Sequence, residues 1–102
     1  MAIGIYRRAI ALGVGGPRRD EAVIQLASSL RNVGDPAAAL AVLEAEPVSE
    51  GMRPAAAAFR VLALRDAGRG DEAVEVALLA LAPTLPRYRD AVARYARREE
   101  RG

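Results

Sequence analysis

Two five-residue stretches decide the fold: Leu30-Arg31-Asn32-Val33-Gly34 and Leu64-Arg65-Asp66-Ala67-Gly68. They stand 34 residues apart, and the match extends outward from them. Ala27 answers to Val61, and Ala39-Leu40 to Ala73-Val74. Upstream of Gly34, Val23, Leu26, Ala27 and Leu30 fall at i, i+3, i+4 and i+7, the spacing of one helical face. Gly34 supplies the positive φ at which helices commonly end. Asp35-Pro36 reads as an N-cap followed by proline in the first turn, so another helix starts at once. Both copies run helix, glycine turn, helix. A two-helix period of this length marks a stacked repeat, in which no unit buries its apolar face without a neighbour.

The remaining helices follow from their punctuation. The first is expected from Ala2 to Leu12, ending at Gly13-Val14-Gly15-Gly16-Pro17, and the second from Arg18 or Asp20 to Val33. The third carries Ala39, Leu40 and Leu43 inward and stops near Pro47. Pro54 opens a fourth, to Ala67, after the short connection 49–53. Asp71 and Glu72 place negative charge in the first turn of the fifth, where the helix dipole favours it. That helix ends before Pro83, and Thr84-Leu85-Pro86 restarts the chain as a sixth. Arg87, Arg89, Asp90, Arg94, Arg97 and Arg98 leave this last helix a narrow apolar strip of Tyr88, Val92 and Tyr95, as a terminal capping helix requires. The reading is one all-α domain over 1–102, an α-α superhelix of about six antiparallel helices. Its parts are an N-terminal half-repeat 2–12, helix pairs about 18–47 and 53–82, and a capping helix 86–98.

Composition fits stacked helices. The 102 residues suit one modest domain; 52% are hydrophobic but only 4% aromatic. Alanine supplies much of the apolar content, which favours helix and lets helix axes approach closely. The formal charge is only +2 and every basic residue is arginine, so charge does not call for a nucleic-acid or membrane partner. The alanine and arginine usage suggests a GC-rich bacterial genome. Without cysteine there is no disulfide or thiolate metal site, and without histidine no imidazole base or ligand. The N-terminus carries no cationic segment before an apolar one, and the longest apolar run, 76–83, is far short of the roughly 20 residues of a spanning helix. The expected location is the cytoplasm.

These features resemble the tetratricopeptide repeat superfamily, whose repeats pack two antiparallel helices through small residues. The first full copy meets the pattern with Val23, Leu26-Ala27, Leu30, Ala39 and Leu43. The second meets it with Ala57, Val61, Leu64, Ala73, Ala77 and Ala80, and the N-terminal segment with Ala2, Tyr6 and Ala9. The stretch from Tyr6 to Tyr88 is similar to a group of small stand-alone bacterial domains of this class. Arg60 stands where leucine is usual, and Glu46 replaces the late alanine of the first copy. The N-terminal half-repeat has no partner helix, so Ile3, Tyr6 and Ile10 are expected to be covered by a second copy, as a homodimer, or by more of a longer chain.

The resemblance implies a protein-interaction module with a concave surface for a peptide or helix. That surface would present Ile24, Gln25, Ser28, Arg31 and Asn32 from the first repeat and Phe59, Leu62, Arg65 and Asp66 from the second. Phe59 and Leu62 either anchor a partner's apolar side chain or pack on the final helix. Gln25, Arg31, Asn32 and Arg65 would set specificity. The lysine and asparagine clamp for acidic C-termini known in some relatives is not met, since Ile24, Ser28 and Phe59 hold those places. The alternative is a structural, self-associating domain or a C-terminal piece of a larger bacterial repeat protein. The loop from Gly13 to Arg19 fits no nucleotide-binding fingerprint, and no strand precedes it. The terminal arginines are interleaved with acids and lack an aromatic stacking platform. The pairs Glu44/Glu46 and Glu99/Glu100 do not suit acid–base chemistry, and Ser28 and Ser29 have no activating base. No catalytic residue, cofactor or metal site is expected.

Overall fold

The computed structural model describes residues 2–13 and 15–97. Six α-helices follow one another among them: α1 (Ala2–Ala11), α2 (Gly16–Asn32), α3 (Pro36–Ala45), α4 (Arg53–Asp66), α5 (Gly70–Leu81) and α6 (Arg89–Ala96). Short 3-10 turns, Glu50–Met52 and Ala82–Thr84, lead out of the α3 and α5 segments. No strand occurs among the described residues. Val14, Arg98, Glu99, Glu100 and Arg101 lie outside them.

The two glycine turns are built alike. Gly34 and Gly68 adopt φ of 87° and 77°. The Gly34 amide donates to the Arg31 carbonyl and the Asp35 amide to the Leu30 carbonyl; Gly68 to Arg65 and Arg69 to Leu64 repeat both bonds. Each pair satisfies carbonyls that a helix end otherwise leaves unpaired. The next helix starts differently in the two copies. Asp35 caps α3 by accepting from the Ala38 amide at 3.0 Å, whereas Arg69, its counterpart, gives α5 no side-chain cap.

Each helix packs on its neighbours along an elongated stack of 46 × 29 × 18 Å. The main core gathers Leu26, Ala27 and Leu30 of α2, Ala39 of α3 and Ala63 of α4. Ile3, Tyr6 and Ile10 of α1 pack against it. This differs from the expectation that these three residues are left for a second copy or a longer chain to cover. α1 turns them onto α2, and the large apolar side chains near it that face solvent are Ile5 and Leu12, 66% and 74% exposed.

The last helix departs most from expectation. It begins at Arg89 rather than 86, because Pro83 and Pro86 break the chain and Tyr88 takes a left-handed φ of 71° as the N-cap. Tyr88 and Tyr95 were expected to face the stack, yet both are exposed, under the guanidinium groups of Arg87 and Arg94 at 5.1 and 5.3 Å. The buried residue of α6 is Ala96.

Candidate partner-binding site

The open surface of this stack follows from what lies beside each helix. α2 is flanked by α1, α3 and α4, so both its partner helix and the next first-helix cover it. α4 is flanked by α2, α3 and α5. The 34-residue period carries Ala55–Leu62 onto Arg89–Ala96, so α6 has the phase of a third first-helix. It packs instead on α5 and on the turn Ala82–Thr84.

A cleft of about 500 Å³ therefore opens between α4 and α5. α4 lines it with Pro54, Ala57, Ala58, Val61 and Leu62. α5 and the turn after it add Ala77, Ala80, Leu81 and Thr84. The Thr84 hydroxyl donates to the Leu81 carbonyl at 2.6 Å, which leaves the wall almost wholly apolar. In the first copy three matching positions on α2 are shut: Val23, Ile24 and Ala27 are 0%, 6% and 2% exposed. Their counterparts Ala57 and Val61 are half-buried, and Ala58 is exposed.

Two hydrogen bonds go with this difference. In the first copy Asp20, itself buried, accepts from the Ser49 amide at 3.3 Å and from the Ser49 hydroxyl. This ties the link after α3 to the start of α2, directly before α4 begins. Arg19 adds a bond to the Pro47 carbonyl at 2.8 Å and an ion pair with Glu46 at 3.4 Å. One period on, Asp20 becomes Pro54 and Ser49 becomes Pro83. Proline has no side-chain acceptor and no amide proton. The same tie cannot form between Pro54 and Pro83, and α6 packs on α5.

The eight residues expected to bind a partner are not gathered in one place. Arg31, Asn32, Arg65 and Asp66 meet at the C-terminal ends of α2 and α4. There Arg31 Nε donates to Asp66 Oδ2 at 2.7 Å, and Arg65 reaches Asp66 Oδ1 at 3.4 Å. An exposed ion-pair cluster of this kind adds little stability but fixes which ends of the two helices adjoin. Gln25 lies elsewhere, in a hollow between α1 and α2 beside Ile5, Tyr6 and Ala9. Leu62 lines the α4/α5 cleft, while Phe59 and Ser28 are half-buried outside it. Ile24, expected on the concave surface, is buried instead. The cleft residues other than Leu62 were not anticipated as binding residues. The signal for them was present in the 34-residue register, as prolines standing where the first copy has Asp20 and Ser49.

A family model described as tetratrico peptide repeat matches residues 1–99, so the chain belongs to the tetratricopeptide repeat family. Repeats of this family serve in general as protein–protein interaction modules and are generally non-enzymatic scaffolds. No curated protein and no solved structure gives a significant match. No helix among the described residues is long and apolar enough to cross a membrane.

Proposed function

We propose that this chain is a non-catalytic binding module that takes a peptide or helix from a protein partner on the surface shared by α2, α4 and α5. The observation that carries the reading is the apolar α4/α5 cleft, whose counterparts on α2, Val23, Ile24 and Ala27, are buried within the chain. Such clefts bind by removing apolar surface from water, at roughly 25 cal/mol per Å². Leu62 connects the cleft to the α2/α4 surface, where Ser28, Arg31, Asn32, Phe59, Arg65 and Asp66 are the candidate flanking contacts, with Gln25 at its far end.

The test is selection of a displayed peptide library on the chain, repeated on Leu62→Glu and on Arg65→Ala with Asp66→Ala. Sequences recovered by the wild type and lost on Leu62→Glu support the reading. An unchanged pool on both variants overturns it. The second reading is self-association, favoured by the exposure of Ile5 and Leu12 near α1. Light scattering that gives a dimer, reduced to monomer by Ile5→Glu, would support it over the first.

A further inference from the structure

We propose that a second hollow, lined from α3, α4 and α5, binds a small aliphatic carboxylate, with its head group on Arg60 and Arg53. The site goes beyond the peptide reading above and shares only Ala57 with the α4/α5 cleft.

The repeat register points to it first. Arg60 stands one period after Leu26, a core residue only 2% exposed. Where the first copy buries a leucine, the second carries an exposed guanidinium. A chain that breaks its own packing rule at one place commonly does so for function. A hollow of about 230 Å³ lies here, lined by Arg60 and, two turns earlier on α4, by Arg53. The rest of its wall is Leu43 of α3, Pro47 and Val48 of the link after it, two alanines of α4 and Val76 of α5.

No acid lines this hollow. Two other hollows lined by arginine carry acids as well, Glu21 with Arg18, and Asp71 and Glu72 with Arg69. Glu72 feels the charge of Arg60, but it is held low first of all by Arg69, which donates to both its carboxylate oxygens at 2.8 and 2.7 Å. The two guanidiniums of the hollow are permanently charged, and each offers a planar fork that fits a carboxylate. The aliphatic wall beside them offers an alkyl chain a place out of water. Sites for drug-sized molecules begin at roughly 300 Å³, so the ligand is smaller than those. The link in the wall is anchored on both sides of Val48: the Pro47 carbonyl accepts from Arg19 at 2.8 Å, and Ser49 donates to Asp20. A wall held in place beforehand spares the ligand the cost of ordering it.

The experiment titrates hexanoate, hexylamine, acetate and inorganic phosphate into the whole isotope-labelled chain at neutral pH and follows amide shifts by NMR. Hexanoate is expected to shift Val48, Ala56 and Val76 with a Kd of about 1 mM, the range of so small a ligand. The other three are expected to bind about tenfold more weakly, each lacking the head or the tail. Arg60→Gln and Arg53→Gln should each weaken hexanoate about fivefold, and Arg87→Gln, which does not line the hollow, should leave it unchanged. Arg60→Leu, which restores the residue of the first copy, should abolish binding while circular dichroism shows the helices intact. Acetyl-leucine tells two sources apart: binding tighter than hexanoate gives the site to the carboxyl end of a peptide, weaker binding gives it to a free acid, and either upholds the aliphatic carboxylate. Equal binding of hexylamine, acetate or phosphate as tight as hexanoate, indifference to both Arg60 variants, or no saturable shift with hexanoate each overturns the inference and leaves the peptide reading untouched.

Discussion

The first and second helix pairs share a period, a turn and an internal packing, yet only one of them is closed. Leu30 and Leu64, and Ala39 and Ala73, are buried in both copies, because these residues face the partner helix within the pair. Val23, Ile24 and Ala27 are buried only in the first copy, where α2 lies among α1, α3 and α4. A repeat thus carries two kinds of apolar position. One is satisfied by the hairpin itself, and the other needs a neighbour. The second copy shows what the latter look like when the neighbour is displaced.

The largest test of this contrast compares Val23→Asp with Ala57→Asp, the same position in the two copies. A charge placed at buried Val23 should cost at least about 3 kcal/mol in urea unfolding, while Ala57→Asp should cost no more than about 1 kcal/mol. Equal costs would mean that the second copy is covered in solution. Next comes Asp20→Ala, which leaves the Ser49 amide and hydroxyl without their acceptor and should cost roughly 1–3 kcal/mol. It should also loosen α4 from α2, seen as faster amide exchange in residues 49–56.

The reverse change sharpens the contrast. Pro54→Asp with Pro83→Ser supplies the missing tie, and should add about 1 kcal/mol and draw α6 over the cleft. The same double variant should lose affinity for peptides selected on the wild-type chain, measured by anisotropy. Asp66→Asn removes the exposed bridge from Arg31 and should cost only about 0.5 kcal/mol.

The smallest effect is one of pH. The hydrogen bonds from Arg69, at 2.8 and 2.7 Å, hold the Glu72 carboxyl below its ordinary value. A carboxylate depressed in the folded state contributes stability above its unfolded pKa, and that contribution is lost as pH falls through the folded value. Melting curves of Glu72→Gln should therefore lie slightly below wild type at neutral pH and converge with it in acid. A constant difference at every pH would assign the effect to packing instead.

Much of this was legible in the residues. The glycine turns, the proline and aspartate starts and the i, i+3, i+4, i+7 faces are local signals, and the helices stand close to where those signals put them. The binding surface was less legible. Ile24 and Leu62 were read from the same repeat register as surface residues. One is buried and the other lines a cleft, because exposure there depends on whether another helix lies across the pair. Tyr88 and Tyr95 looked like a docking strip by spacing alone, but both are exposed, Tyr88 as the left-handed residue that precedes the helix.

The amino-acid order by itself determined the helical period, the turns and the family, since each depends on contacts within one hairpin. The placement of α6, and with it the existence of an open cleft, was decided only in three dimensions. A hydrogen bond between Asp20 and Ser49 spans 29 residues, and what its loss at Pro54 and Pro83 leaves uncovered depends on how the whole chain packs.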